Sequence, residues 1–230
     1  MSNQTNNIQE IIKIAKALQE INERTLFVGG TVVSIYADDP AADDVRPTKD
    51  VDITLQILTV GELEQLRQDL ISKGFEQSAE ESVICRFLYN GTKVDVMSTK
   101  EIDWAPSDKW FDPGFKRSQK INDGDIEIRI LPLPYFLASK FNAFHERGLS
   151  DPRTSHDFED ITYILDNRID LAESILSSPI DVKIFIQSEF KKILEQDNLK
   201  EAIIGNLYFA TQDERLHLIF DKLNKVVDGR

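Results

Sequence analysis

The sequence predicts an α+β protein in which a small mixed β-sheet flanked by helices is followed by a helical C-terminal region. Three observations favour this fold class. Short apolar runs of strand type alternate with helix-type spacing up to about residue 131. An Asn-Gly pair joins two strand-like runs, and helix-type spacing dominates the rest of the chain. We therefore expect an α/β core at residues 1–131 and a helical region at residues 132–230.

Each predicted element rests on the spacing of its apolar residues. Helical spacing runs from residue 8 to residue 22, and again from residue 60 to Gly74, which is placed to end that helix. The segment GGTVVSIYA, which starts at Gly29, is predicted as a turn into a helix. Five short apolar or alternating runs bounded by turn residues are predicted as strands. They are TLFV (25–28), VDITLQI (51–57), SVICRFLY (82–89), TKVDVMS (92–98) and DIEIRIL (125–131).

The charge of the chain argues against broad nucleic-acid binding. The formal net charge is −13, and both predicted domains are acidic. Sequence-independent binding of nucleic acid needs lysine and arginine to displace counterions, so it is disfavoured, although a local basic groove is compatible with this composition. The polar, proline-containing segment DDPAADD (38–44) is predicted as a solvated loop, with an acidic lid as the alternative.

Cysteine content and hydropathy predict a cytoplasmic protein that does not enter a membrane. The single cysteine, Cys85, excludes an internal disulfide and a cysteine-rich zinc site, and its strand-like surroundings predict a buried thiol. The first ten residues lack the basic and apolar regions of a signal peptide. No apolar run is long enough to span a bilayer.

Two carboxylates on one strand predict a metal site. Residues i and i+2 of a strand point to the same face, so Asp50 and Asp52 project together. Adjacent carboxylates repel each other unless a cation compensates them, and hard divalent cations such as Mg²⁺ or Mn²⁺ take oxygen ligands. Asp95 lies on the second strand of the Asn-Gly hairpin and would complete the set if that strand lies beside the first. Three such carboxylates suit metal ions that clamp phosphate oxygens.

The glycine pair upstream fits phosphate binding. Gly29 and Gly30 allow a sharp turn and a close approach of the backbone to a ligand. The helix predicted to follow would offer backbone N–H groups to a phosphate, and Thr31 could add its hydroxyl. Taken separately, a glycine pair is usually a simple loop and an Asp-x-Asp strand is usually an exposed edge. The order of glycine turn, Asp-x-Asp strand and hairpin acid is much less expected by chance, and it favours a site for a metal ion and a phosphate.

A lysine in the C-terminal region interrupts an apolar helical stripe. Lys140 falls within the stripe formed by Leu133, Phe136, Leu137, Phe141 and Phe144. Such a lysine either extends its ammonium group to the solvent edge or reaches a buried anion such as a triphosphate. Downstream, Asp157 is explained equally well as part of a capping box with Thr154 as N-cap, and Asp160 as part of a solvated face.

These motifs together resemble a known family. The segments GGTVVSIY and RPTKDVDI are similar to the nucleotidyltransferases of the DNA polymerase β superfamily. More narrowly they resemble the AbiEii/AbiGii type, the toxin halves of bacterial toxin–antitoxin and abortive-infection systems. Arg46 and Thr48 match the family's residues before the Asp-x-Asp pair. In ASKFNAFHERG and SHDFEDITYIL, the family's helical lysine, arginine and acids correspond to Lys140, Arg147, Asp157 and Asp160.

The resemblance covers roughly residues 25 to 166 and implies a nucleotidyltransferase fold with a C-terminal helical bundle. It implies transfer of an NMP from an NTP to a hydroxyl of tRNA or protein, with an antitoxin as a possible partner. The implied metal ligands are Asp50, Asp52 and Asp95. The implied nucleotide-binding residues are Gly29, Gly30, Thr31, Thr48 and Lys140, and the implied catalytic residues are Asp50, Asp52, Asp95, Lys140 and Asp157.

Three alternatives to this function stay open from the sequence. The acidic surface suits a cationic small-molecule acceptor, such as an aminoglycoside hydroxyl, on the same fold. A catalytically inactive module could bind a nucleotide or a partner protein. A different metal-dependent phosphodiesterase chemistry would leave the glycine pair without a role.

Overall fold

The computed structural model describes residues 2–77 and 85–230, and the chain divides into two compact units. The first unit comprises Met1–Ser34 and Asp44–Pro132, and the second comprises Ile35–Asp43 and Leu133–Arg230. Residues 82–84 of the predicted strand SVICRFLY lie outside the described residues. The described residues contain no helix long and apolar enough to cross a membrane.

The first unit is built on a mixed sheet, which has seven strands within the described residues. Their order across the sheet is β3-β4-β5-β2-β1-β7-β6. The strands are β1 (Thr25–Val28), β2 (Asp50–Leu55), β3 (Glu76–Gln77), β4 (Arg86–Tyr89), β5 (Thr92–Ser98), β6 (Gln119–Asp123) and β7 (Ile126–Ile130).

The pairing of the central strands makes the sheet mixed, as predicted. β1 runs antiparallel to β2 and parallel to β7, while β2 runs parallel to β5. All four residues of β1 are buried, whereas β5 alternates strictly between buried and half-buried residues. The alternation shows that one face of β5 packs into the core while the other carries polar side chains. The α+β fold class with a mixed sheet is therefore confirmed.

The β4–β5 hairpin forms at the predicted Asn-Gly turn. Asn90 and Gly91 have φ angles of 47° and 81°. Positive φ at both central residues is the geometry of the two-residue turn whose twist matches that of the strands. Cys85, immediately before β4, is buried, as predicted. β6 was not predicted, because its mostly exposed polar residues give no alternating pattern.

Helices accompany the sheet in the first unit. They are α1 (Asn3–Leu18), which continues into a 3₁₀ helix (Gln19–Arg24), α2 (Val60–Ser72) and the short α3 (Phe111–Phe115). α1 packs against β2 and β7. It begins before the predicted start at residue 8 because Ser2 accepts a hydrogen bond from the Thr5 N–H and Asp44 accepts from the N–H groups of Asn3 and Gln4.

α2 matches its prediction closely. The hydroxyl of Thr59 accepts from the Glu62 N–H at the N-terminus, and Leu63, Leu66 and Leu70 form the buried face. Gly74 adopts a φ of +89° just beyond the last helical residue. A glycine in the left-handed conformation at this position is a common helix end.

The second unit is helical within the described residues, apart from its connecting loops. Its helices are α4 (Leu133–Arg147), α5 (His156–Asn167), α6 (Leu171–Leu176), α7 (Ile180–Glu195), α8 (Asp197–Gly205) and α9 (Gln212–Asp228), with 3₁₀ helices at Pro152–Thr154 and Phe209–Thr211. Phe141 and Phe190 join α4 to α7 through an edge-on ring contact at 6.2 Å between centroids.

Acidic residues anchor the segment Ile35–Asp43 within the second unit. The predicted loop at residues 38–44 contains no helix or strand and is mostly exposed, as expected for a solvated loop. The guanidinium group of Arg215 pairs with Asp39 at 2.8 Å, and Arg168 lies 3.4 Å from Asp38. The N–H groups of both aspartates also donate to the carbonyl of Asn167 at the end of α5. Paired side chains and backbone hydrogen bonds therefore fix the position of the first part of this exposed loop.

Candidate active site

The three predicted carboxylates lie on two neighbouring strands. Asp50 and Asp52 alternate with the buried Val51 along β2, so they share the other face of that strand. Asp95 on β5 is the register partner of Asp52. Because paired residues of parallel strands project to the same side, the sheet brings the three acids together as the sequence predicted.

An arginine that the sequence analysis did not identify compensates part of the charge of these acids. The Nε and Nη2 atoms of Arg86 donate to the two carboxylate oxygens of Asp95, each at 2.7 Å. The same Nη2 lies 3.5 Å from Oδ2 of Asp50. The side chains of Arg86 and Asp95 are each 16% exposed, which makes this forked pair stronger than a surface ion pair.

The signal for Arg86 was present in the sequence. In a two-residue hairpin the register follows from counting outward from the turn. From Asn90 and Gly91 that count pairs Tyr89 with Thr92 and, three steps further, Arg86 with Asp95, as the structure shows. Opposite charges placed directly across two strands stabilise a hairpin.

The glycine pair accommodates two charged side chains. Gly29 has a φ of +71°, and a Cβ atom on it would overlap the carboxylate of Asp52. A Cβ atom on Gly30 would collide with the guanidinium group of Arg46 and with the side chain of Thr48. The absence of side chains at the turn therefore lets Asp52 and Arg46 approach the backbone closely.

The helix after the glycine pair differs from the expectation. Gly30–Tyr36 is a 3₁₀ helix of seven residues. The hydroxyl of Thr31 donates to the backbone carbonyl of Asp50 at 3.2 Å, and the residue is buried. Thr31 thus ties the turn to the start of β2, an interaction that the sequence did not predict.

Thr48 is held by α1. Its N–H and hydroxyl groups both donate to Oδ1 of Asn7, at 3.4 Å and 3.1 Å. The side-chain amide of the buried Asn7 donates in turn to the carbonyl of Arg46. Asn7 therefore positions the strand entry before Asp50, a role that no sequence pattern indicated.

A polar cavity of about 340 Å³ opens beside Asp50. This volume lies at the lower end of the range typical of small-molecule sites. Three predicted site residues, Thr31, Thr48 and Asp50, contribute to its wall, and Lys49 adds a positive charge that the sequence analysis missed. The remaining lining residues are Glu10, Lys13, Val51, Asn90, Gly91 and Thr92.

The donor set at this face suits a hard divalent cation. Asp50 and Asp52 present carboxylate oxygens on one face of β2, and such oxygens are the ligands that Mg²⁺ and Mn²⁺ prefer. Among residues 2–77 and 85–230, no three Asp, Glu, His or Cys side chains are arranged as a complete metal-binding group. In this arrangement Arg86 engages both oxygens of Asp95 and lies 3.5 Å from Asp50.

The predicted residues of the second unit form a buried ion-pair cluster. The ammonium group of Lys140 on α4 lies 2.6 Å from Asp160 and 3.2 Å from Asp157, both on α5. Arg147 donates to both oxygens of Asp157, at 2.7 Å and 3.0 Å. The Lys140 side chain is only 7% exposed, so its extension to the solvent edge is excluded.

Two alternatives for the acids of α5 are wrong. Asp160 is buried and paired with Lys140, so it is not part of a solvated face. The N-cap of α5 is Ser155, whose hydroxyl accepts from the Phe158 N–H, and not Thr154. Asp157 therefore serves in the ion-pair cluster. The cluster forms because α4 packs against α5, and a capping pattern within one helix does not predict such packing.

The electrostatic surroundings of Asp157 favour its ionised form. Burial acts to raise the pKa of this carboxyl, but the hydrogen bond from Arg147 and the charge of Lys140 outweigh burial. The pKa of Asp157 consequently lies below its ordinary value. Near neutral pH the carboxylate is charged, and the two cations compensate it.

Comparison with known proteins identifies the family. The model of the family described as nucleotidyl transferase AbiEii toxin, Type IV TA system, matches residues 14–203. A crystal structure of an antigenic nucleotidyltransferase-like protein from Paracoccidioides brasiliensis is similar over 93% of this chain and 97% of its own, at 13% identity and a TM-score of 0.47. No curated protein sequence matches the chain.

Proposed function

Because the chain belongs to the AbiEii nucleotidyltransferase toxin family of Type IV toxin–antitoxin systems, we propose that it moves an NMP from an NTP to an acceptor hydroxyl. The observation that carries the proposal is the register of Asp52 with Asp95, beside a glycine turn into which the Asp52 carboxylate fits. Acids placed in this way bind the cation that accompanies an NTP.

In this proposal Asp50 and Asp52 hold Mg²⁺ or Mn²⁺, and Asp95 completes the set. The cation would neutralise negative charge on the phosphates during in-line displacement, with release of pyrophosphate. The backbone at Gly29–Thr31 would hold the β- and γ-phosphates. The polar cavity next to Asp50, with Thr48 and Lys49 in its wall, offers a place for polar parts of the substrate.

Lys140 and Asp157 belong to the proposal as residues required for turnover. Two observations support this role: the family resemblance of the segment that carries them, and the burial of Lys140 between two carboxylates. A purely structural role would also bury these charges. Activity and stability must therefore be measured separately for variants at these two positions.

The acceptor proposed first is a hydroxyl of tRNA or protein, with the chain acting as the toxin and an antitoxin as its partner. The family description supports the toxin role. A cationic small molecule is the second candidate acceptor, favoured by the net charge of −13, which attracts cations and repels polyanions.

Calorimetric titration of each NTP in the presence of Mg²⁺ tests the proposal. The wild-type protein is compared with an Asp50→Asn/Asp52→Asn variant and with Asp123→Asn, which changes an exposed acid on β6. We expect metal-dependent NTP binding that the double variant loses and the control retains. The NTP that binds is then used, radiolabelled on its α-phosphate, to identify the acceptor. Absence of binding by any NTP would refute the nucleotide site and favour a partner-binding module.

A further inference from the structure

Arg86 occupies the carboxylate oxygens that a divalent cation needs. Asp95 has two oxygens, and both accept a hydrogen bond from the Arg86 fork at 2.7 Å. The same guanidinium group approaches Asp50 at 3.5 Å and so spans both strands that carry the acids. A cation that takes Asp95 as a ligand must therefore either share these oxygens with the fork or displace one of its arms, and repulsion between the cation and the guanidinium group disfavours sharing.

A change of protonation cannot remove the competition between Arg86 and the metal. The guanidinium group stays charged at any pH a protein tolerates, so Arg86 cannot lose its attraction for the acids by deprotonation. It can only move away or remain in place. The arginine is attached to β4, and its register with Asp95 is set by the tight turn at Asn90 and Gly91. The backbone therefore returns Arg86 to the acids whenever the cation leaves.

We propose that Arg86 is a positioning residue that sets the divalent-metal affinity of this site by competing with the metal for Asp95 and Asp50. This inference rests on the proposed function, because it assumes that the acids bind the metal. Arg86 contacts Asp95 and Asp50 in the metal-free protein and compensates part of the charge of the acids. Metal binding then breaks hydrogen bonds between Arg86 and Asp95. The free energy lost with these hydrogen bonds lowers the metal affinity measured in the wild type.

A structural role alone predicts a different result. An arginine that only stabilises the hairpin would, when removed, weaken the fold and leave metal affinity unchanged or lower. A competing arginine would, when removed, weaken the metal-free fold, because the acids lose their partner, and strengthen metal binding. Stability of the metal-free protein then falls while metal affinity rises. This combination distinguishes competition from a purely structural role.

The test is calorimetric titration with Mn²⁺ alone, together with thermal melts with and without Mn²⁺. The variants are Arg86→Met, Arg86→Lys, Asp95→Asn and the control Arg67→Met, which removes a comparable fork to Glu64 on α2. We expect Arg86→Met to bind Mn²⁺ roughly tenfold or more tightly, because a unit positive charge a few ångströms from the metal no longer repels it. Arg86→Lys should lie between it and the wild type, and the control should match the wild type.

Each other outcome has a distinct meaning. If the wild type binds Mn²⁺ and Arg86→Met binds it equally or more weakly, the proposal that Arg86 competes with the metal is refuted. The proposed function is then unaffected. If no folded variant binds Mn²⁺, with or without NTP, both the competition and the proposed function are refuted. If Arg86→Met does not fold, Arg86→Lys decides the question, because a lysine cannot reproduce the bidentate fork. An unchanged or lower Mn²⁺ affinity in that variant then refutes the competition.

Discussion

Asp52 on β2 and Asp95 on β5 are register partners in neighbouring parallel strands. The residues on either side of each acid are buried, so both carboxylates project from the less buried face of the sheet. Parallel pairing places them on one side by geometry alone. Their charges require compensation, which Arg86 supplies at Asp95 in this structure and which a divalent metal is proposed to supply during turnover.

Removal of the Asp52 charge should abolish turnover without unfolding the protein. Asp52→Asn keeps the shape of the side chain that fills the space beside Gly29 but removes one of the carboxylates proposed to hold the metal. We expect kcat to fall by roughly a hundredfold or more, the scale on which a single electrostatic contribution to the transition state acts. The melting temperature should change little. Retained activity in this variant would remove Asp52 from the metal site.

A side chain at Gly29 should displace Asp52. Gly29→Ala adds a Cβ atom where the Asp52 carboxylate lies, at a φ of +71°. Gly124→Ala is a matched control, because Gly124 also has a positive φ, +59°, and has open space around it. Both substitutions incur the left-handed backbone penalty of about 1–2 kcal/mol. We expect Gly29→Ala alone to show a larger loss in the free energy of unfolding and to lose metal-dependent NTP binding. Equal effects of the two substitutions would contradict the close approach.

Removal of Lys140 should destabilise the helical unit. Lys140→Met leaves Asp160, with a side chain 1% exposed, without this cation. Breaking a buried ion pair from one side costs about 3–5 kcal/mol. We expect the urea midpoint to fall accordingly, and the double variant Lys140→Met/Asp160→Asn to recover part of the loss. Lys191→Met, at an exposed pair with Glu195, is the control and should change the midpoint little. A double variant no more stable than Lys140→Met would show that the two charges are not coupled.

The stability contributed by Asp157 should depend on pH in the acid range. Its pKa in the folded protein lies below the ordinary value of about 3.9. A carboxyl of this kind contributes its full stabilisation above its ordinary pKa and loses it as pH falls through the lower, folded pKa. We expect the difference in urea midpoint between the wild type and Asp157→Asn to be constant down to about pH 5 and to shrink below about pH 4. A difference that grew on acidification would contradict the sign of the shift.

Kinetics should separate catalytic from structural roles for the Lys140 cluster. Lys140→Arg keeps the positive charge and can still pair with Asp160. If Lys140 acts on the substrate, this variant should retain stability close to the wild type and lose kcat, because a guanidinium group cannot replace an ammonium group atom for atom. The measurement is kcat against the urea midpoint for the same preparation. Parallel retention of both would assign Lys140 a structural role only.

Much of the fold followed from local patterns. The β4–β5 hairpin was predictable because the φ angles that its turn requires are those that Asn and Gly adopt at low cost. The buried face of α2 was predictable because its leucines repeat at the period of the helix. β6 was not predictable, because its polar residues show no alternating pattern. Its strand conformation comes from antiparallel pairing with β7.

The set of acids and their likeness to a family could be read from the residues alone: two carboxylates on one strand face, a glycine pair before them and a third acid on a hairpin. These depend on residues close in the chain, whose geometry is regular. The tertiary structure decided which charges meet. The parallel register of β2 with β5 set Asp52 beside Asp95, the turn at Gly29 received the Asp52 carboxylate, and Lys140 was paired by acids of another helix. Such partners are distant in sequence, and only the packing of whole elements brings them within a few ångströms of each other.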